Sequence, residues 1–281
     1  MKTILKKMIP GPLKPVAGAL YRRVHYYLQD RKEIRSGERS TMTPPLRKLY
    51  NTDVAEFEKV GRDFFNYFLD LGKIKPDDYI LDVGCGQGRM AAPLTKYLSE
   101  KGRYEGFDIR RQDIEWCQKK ITTKHPNFRF QTADVFNKAY NPDGKYQAVD
   151  YKFPYSDNTF DFVYLTSVFT HMLPPDMENY FSEIARVLKP GGRCLITFFL
   201  INEESKALIA KNRSSLSLKF DFPGYVAIVK DIPEAAVGFP EEYILKLFEI
   251  NRLQIQQPIH YGSWCGRTRF LSYQDMVVAQ K

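Results

Sequence analysis

What is scarce in this sequence narrows its function before any motif is read. Among 281 residues only four are cysteines, Cys85, Cys117, Cys194 and Cys265. They are scattered, with no C-x-x-C pair, so neither a zinc site nor a disulfide framework is expected, and a reducing cytoplasm is the expected setting. Long apolar runs are missing as well. The longest, Cys194 to Ile201, falls far short of the ~20 residues that a membrane-spanning helix needs. The first residues are basic but broken by Pro10, Pro12, Lys14 and Pro15, where a secretory leader requires an unbroken apolar stretch. An excess of positive charge is absent from most of the chain. The net charge of +9 sits wholly in residues 1–50, where twelve Lys plus Arg face three acids, and residues 51–281 balance at 30 of each. No phosphate-binding face spans the domain, so nucleic acid is not an expected partner.

What remains is the composition of a folded protein, 43% hydrophobic and 27% charged with 18 Tyr and 20 Phe, at a length that fits one main domain with insertions. Residues 1–50 read as a basic arm and linker. Within it Val16, Ala17, Leu20, Tyr21, Val24, Tyr27 and Leu28 recur at helical spacing, Arg22 and Arg23 fall off that stripe, and the polar residues 30–46, ending in Thr43-Pro44-Pro45, read as a linker or a loosely held arm. The stripe with its basic flanks makes peripheral membrane contact through residues 1–35 one expectation; packing of the helix on its own domain is the other.

From Pro76 onward, short apolar runs alternate with amphipathic stretches, the pattern of a parallel sheet built by crossovers. Strands are predicted at Tyr79–Val83, Tyr104–Phe107, Phe128–Gln131, Phe162–Leu165 and Cys194–Phe199, with two more at Leu253–Pro258 and Ser272–Ala279. Helices are predicted near 54–71, 89–100, 110–124, 176–188 and 241–251.

The first strand runs into Leu81-Asp82-Val83-Gly84-Cys85-Gly86-Gln87-Gly88. Glycines there permit a tight turn and let backbone approach a ligand at a helix N-terminus. A dinucleotide loop reads G-x-G-x-x-G; this one reads G-x-G-x-G, which disfavours a nicotinamide dehydrogenase. Asp108 ends the second strand twenty residues after Gly88, where a carboxylate can accept hydrogen bonds from both hydroxyls of a ribose; plain surface solvation is the alternative. Asp134, in Thr132-Ala133-Asp134-Val135, stands where it could accept from an adenine amino group or simply cap a turn.

Together with Phe153–Asp161 and Leu188-Lys189-Pro190-Gly191-Gly192, these segments resemble the successive motifs of class I S-adenosylmethionine-dependent methyltransferases, over roughly residues 54–200. The resemblance implies an α/β, Rossmann-like, seven-stranded mostly parallel sheet with helices on both faces and its last strand antiparallel. It implies S-adenosyl-L-methionine as cofactor, held by Asp82, Gly84, Gly86, Gly88, Asp108, Ile109, Ala133, Asp134, Val135 and Thr166. Val60-Gly61 resembles a segment that closes over the amino-acid end. Residues 51–281 form the methyltransferase domain on this reading, with insertions near 137–152 and 202–239.

The segment after the fourth strand, Thr166-Ser167-Val168-Phe169-Thr170-His171, lacks the Pro-Pro-aromatic motif of enzymes that methylate amino groups of nucleic acids. None of the cysteines follows a proline, as cytosine-carbon methylation requires, and no carboxylate stands where catechol-type enzymes bind metal. A hydroxyl, or less favourably an amine, of a small molecule such as a sugar, glycolipid or secondary metabolite is therefore the expected acceptor. A non-catalytic cofactor-binding or scaffold protein is the competing reading. A hydroxyl acceptor calls for a base near neutrality. Topology selects His171, just beyond the fourth strand, and His260, in the loop His260–Arg267 expected to overhang the same edge. The 202–239 connection is expected to cap the substrate, with Phe220, Phe222 and Tyr225 as an apolar wall or as an edge hairpin with its own cluster.

Overall fold

The structure, a computed structural model, describes residues 14–49 and 52–281, with side chains from Val24 onward; residues 1–13 of the basic arm lie outside the described residues. Strands β1 (Tyr79–Val83), β2 (Arg103–Asp108), β3 (Phe128–Thr132), β4 (Phe160–Leu165) and β5 (Leu188–Phe198) run parallel. The connection that follows carries β6 (Leu200–Ile201), β7 (Phe220–Phe222), β8 (Tyr225–Ala227) and β9 (Val237–Pro240), which form a second sheet in the order β6-β9-β8-β7. β10 (Gln254–Ile255) and β11 (Asp275–Gln280) rejoin the main sheet, whose order is β10-β11-β5-β4-β1-β2-β3. β11 is antiparallel to both neighbours, so the expected seven-stranded class is the one observed.

Side chains alternate along a strand, so each buried strand feeds two cores. Leu81, Val83, Val163, Leu165, Val277 and Ala279 pack with Phe181 and Ile184 of α5 (Pro174–Val187) and Phe248 of α7 (Glu241–Ile250). Their alternates Ile80, Phe162, Tyr164, Met276 and Val278 pack with Phe64 and Phe68 of α2 (Val54–Asp70), Leu94 of α3 (Ala91–Leu94) and Ile114 of α4 (Arg111–Cys117). α2 starts where the Asp53 carboxylate accepts the Glu56 N–H, and α5 starts at Pro174-Pro175, where missing N–H groups cost nothing. α6 (Glu203–Ala210) lies in the 202–239 connection.

Three expectations change. The helix predicted near 89–100 shrinks to α3, because Lys96 and Tyr97 bond back three residues, to Pro93 and Leu94, and tighten the chain into turns. β5 begins at Leu188, so Leu188-Lys189-Pro190-Gly191-Gly192 is strand. Residues 30–46 are not a loose linker. The helix α1 (Lys14–Ser36) takes in the first of them, and beyond its end Arg39 is buried against Asp30 at 2.5 Å and Glu33 at 3.5 Å. Farther on, Thr43 Oγ1 donates to Glu58 of α2 at 2.6 Å. Among the described residues no helix is long and apolar enough to cross a membrane.

Candidate functional site

The five parallel strands end at one edge, and the loops that leave β1, β2, β3 and β4 there wall a cleft of about 400 Å³, within the size range of small-molecule sites. Its floor is the glycine loop. The N–H groups of Gly84 and Cys85 both donate to the Phe107 carbonyl, at 2.8 and 3.0 Å, which turns the chain sharply off β1. Gly84 has φ +80°, and a Cβ there would come within 2.4 Å of Val168 Cγ2, so only glycine fits. At Gly86, φ +49°, a Cβ would meet nothing nearer than an Asp108 oxygen at 4.0 Å, leaving backbone bare towards the cleft. Gly88 is different: its missing Cβ makes room for Ile121 and Cys117, so this glycine seats the loop on the chain around α4 and stays out of the wall.

Asp108 is held rigidly at the end of β2. One carboxylate oxygen accepts the Gly86 N–H and the other the Arg110 N–H, each at 2.8 Å. Burial pushes its pKa up, against those two bonds, and Ile109 lines the cleft beside it. Asp82 lies deeper. Its Oδ2 accepts the hydroxyls of Tyr104 and Tyr164 at 2.6 and 2.8 Å. Its Oδ1 is buried with no hydrogen-bond partner, although the residue lines the cleft. Burial pushes the Asp82 carboxyl up to about 7, opposed by the two tyrosine hydroxyls. A buried carboxylate oxygen without a donor is costly and fits a site whose ligand brings the donor. Arg89, largely buried beside the Phe57 ring with its centroid 5.7 Å away, lines the same end. Its desolvated guanidinium is pulled below its ordinary pKa by burial and supported by Glu56 and Asp82. An unmatched carboxylate oxygen and a guanidinium at one end of a cleft suit the ammonium and carboxylate of an amino acid.

The other expected residues divide. Val135 and Thr166 line the cleft. Ala133 and Asp134 stay out of its wall: Ala133 is buried in the core, and the Asp134 carboxylate faces Lys145 at 3.7 Å. The wall there is Val135, Phe136 and Asn137, turned inward by a bridge between Val135 and Tyr146. Val60 and Gly61 also stay out; bare Gly61 instead lets α2 approach the Arg89 carbonyl, and Phe57 reaches the cleft in their place.

His171 lies in the cleft wall with Tyr140, Met172 and Tyr180. Its Nδ1 is 2.9 Å from the Glu234 carbonyl, which can only accept, so Nδ1 carries the proton and Nε2 of the neutral ring is free of one. Burial lowers its pKa, partly offset by the carbonyls of Glu234 and Ala235. The Tyr140 ring meets it edge-on, centroids 5.1 Å apart. His260 does not reach the cleft. It pairs with Met276 beside β11, and the loop that follows folds inward rather than over the edge. The cause is Asp275, fully buried, which accepts the Gly262 N–H at 2.6 Å, the Trp264 indole N–H at 2.7 Å and Arg267 Nη1 at 3.1 Å.

The two insertions also divide. Residues 137–152 supply Asn137, Tyr140 and Ala148 to the wall. Residues 202–239 supply none; Phe222 and Tyr225 stack on each other at 4.8 Å in an edge hairpin and Phe220 is exposed, so the hairpin alternative holds. This segment meets the site from behind, through the Glu234 and Ala235 carbonyls at His171. Sequence reasoning missed Arg89, legible as the residue right after Gly88, and Tyr140 and Tyr180, which carry no local signal.

Residues 80–192 match the methyltransferase domain family. Over 144 residues the chain is 33% identical to a probable methyltransferase, ltbC, of Aspergillus luteorubrus, covering 51% of this chain and 47% of that protein. Over 140 residues it is 30% identical to the sterol 24-C-methyltransferase erg6 of Schizosaccharomyces pombe, covering 50% of this chain and 32% of that protein. The chain thus spans half or less of the length of these curated relatives. The solved structure of a Pyrococcus horikoshii OT3 protein shares the fold, with a TM-score of 0.54 at 16% identity, covering 82% of this chain and 92% of that one.

Proposed function

We propose that the chain, whose residues 80–192 match the methyltransferase domain family, is a class I S-adenosylmethionine-dependent enzyme methylating a hydroxyl of a small, largely apolar acceptor such as a secondary metabolite or a glycolipid. The orphaned Asp82 Oδ1, the bare backbone at Gly86 and the fixed Asp108 carboxylate fit S-adenosylmethionine. Asp82 and Arg89 would hold its amino-acid end, Asp108 its ribose, and Val135 to Asn137 its adenine. When bound, it supplies an electrophilic methyl group on a sulfonium.

The observation that carries the hydroxyl reading is His171. A ring fixed through Nδ1 and kept neutral by burial offers Nε2 as a base. It accepts the proton that an acceptor hydroxyl gives up as its oxygen takes the methyl. Val168, Met172, Tyr140 and Tyr180 line the cleft with it, which favours an acceptor with an apolar or aromatic body over a bare sugar. The sterol C-methyltransferase relative favours a second reading, in which the same histidine takes a proton from the methylated carbon.

The test begins with a cell extract incubated with methyl-labelled S-adenosylmethionine. A labelled methyl ether supports the first reading, a carbon-bound label the second, and cofactor binding with no labelled product the non-catalytic alternative. With the acceptor in hand, His171→Ala should lower kcat ~10²–10⁴-fold with little change in cofactor affinity. Near-normal turnover would remove the histidine from the mechanism and make an already nucleophilic amine the better acceptor.

A further inference from the structure

We propose that the outward face of α1 is a docking surface for an anionic lipid membrane. The helix period divides this segment into two unlike sides. At 3.6 residues per turn, Val24, Leu28, Arg31 and Arg35 follow one another at steps of four, three and four along one side, whereas Asp30 and Glu33 fall on the other. The second side is held to the body of the protein in the last turns of the helix, while Tyr26, farther up the same side, is exposed. Asp30 and Glu33 hold the buried Arg39, and Asp30 also accepts the Leu46 N–H at 3.1 Å. The first side stands in solvent, with Val24 50%, Tyr27 57% and Leu28 59% exposed.

Three apolar side chains so exposed on one helix face ask for a partner, and the charge around them says which. Arg31, Lys32 and Arg35 are exposed on or beside the same face. In the sequence the row continues backwards through Ala17, Leu20 and Tyr21, and residues 1–50 carry the whole surplus positive charge. An apolar row flanked by cations is the pattern of a helix lying in a membrane interface, with the row in the acyl boundary and the cations on anionic headgroups. A second copy of the chain would bring like charge against like charge. A nucleic acid would use the cations but leave Val24 and Leu28 in water.

The surface is tied to the cleft. Beyond Arg39 the chain docks on α2 through Thr43 and Glu58, and the Lys48 carbonyl accepts the Gln87 side chain of the glycine loop at 2.8 Å. Thr52 then lines the cleft itself. The helix is therefore linked, through this segment, to the glycine loop and the cleft.

The experiment is co-sedimentation of the full chain with phosphatidylserine–phosphatidylcholine vesicles, and with phosphatidylcholine alone, in low and high salt. Binding to the anionic vesicles is expected to exceed that to the neutral ones and to weaken as salt rises. The triple variant R31Q/K32Q/R35Q should bind on the order of 100-fold less tightly, at about 5-fold per cation. V24E/L28E should lose binding while keeping the wild-type melting temperature, because these side chains are not buried. No binding to anionic vesicles at low salt overturns the proposal, as does binding that both variants retain. A wild-type dimer that V24E/L28E converts to monomer overturns it too, since another copy would then cover the face.

Discussion

Two aspartates are buried in strands of the same sheet, and their partners differ. Asp275, at the start of β11, has both oxygens matched: Oδ1 by Gly262 and Arg267, Oδ2 by the Leu200 N–H and the Trp264 indole, each at 2.7 Å. Asp82, in β1, has one oxygen matched by two tyrosine hydroxyls and the other matched by nothing. Burial raises both, Asp275 to about 6 and Asp82 to about 7. The first is a structural clamp, gathering a loop, a strand end and an arginine onto one carboxylate. The second is half of an interaction whose other half must come from the cleft. A buried charge thus reports structure when its partners are complete and a ligand when they are not.

The sharpest way to break this comparison is to remove each charge without changing shape. Asp275→Asn turns an amide N–H₂ towards donors and strips Arg267 of its buried partner, and should cost about 3–5 kcal/mol of stability in a urea or thermal melt. Asp82→Asn should behave oppositely at pH 8. A carboxyl whose folded pKa is raised from 3.8 to about 7 contributes stability below pH ~4 that is lost as pH rises through ~7, and an amide avoids that loss. Equal destabilisation of the two variants at pH 8 would show that Asp82 is as structural as Asp275.

Smaller in effect is Asp108→Ala, which deletes a charged acceptor that also fixes the glycine loop through Gly86. Titration calorimetry should show S-adenosylmethionine binding weakened by about 1.5–3 kcal/mol in a chain that still melts cooperatively. Unchanged affinity would move the ribose contact elsewhere.

The contrast also marks how far the sequence could be read. β1, β2, β4 and the glycine loop were legible because a strand's period is local and the turn needs glycine at stated positions; Asp108 and His171 followed from which edge the parallel strands share. His260 was placed in the cleft by the same topology, and the structure removes it. The fate of residues 260–267 depends on Asp275, whose donors come from Leu200, Gly262, Trp264 and Arg267, and no local pattern announces a carboxylate that gathers groups so far apart. Residues 30–46 looked loose for the same reason, since Arg39 finds Asp30, Glu33 and burial only in three dimensions. Asp134 looked like an adenine contact by its position after β3, but the Val135–Tyr146 bridge puts Val135 and Phe136 in the wall in its place.

The subtlest test follows Asp82 through its own titration. With the cleft empty its carboxyl titrates near 7, so at pH 6 it is mostly neutral and at pH 8 mostly ionised. The ammonium of S-adenosylmethionine gains a charge-assisted partner only from the ionised form, so binding at pH 6 must first expel the proton. Affinity should therefore rise with pH, by about tenfold between pH 6 and pH 8, and level off above. Calorimetry in two buffers of different ionisation heat should detect release of nearly one proton per cofactor at pH 6 and little at pH 8. Asp82→Asn should flatten both dependences and bind more weakly than the wild type at pH 8. Other cleft groups are shifted by burial as well, among them Asp108 and Asp176 upward and His171 downward. If the rise in affinity survives in Asp82→Asn, the proton belongs to one of them, and the unmatched Oδ1 is not where the cofactor's amino group sits.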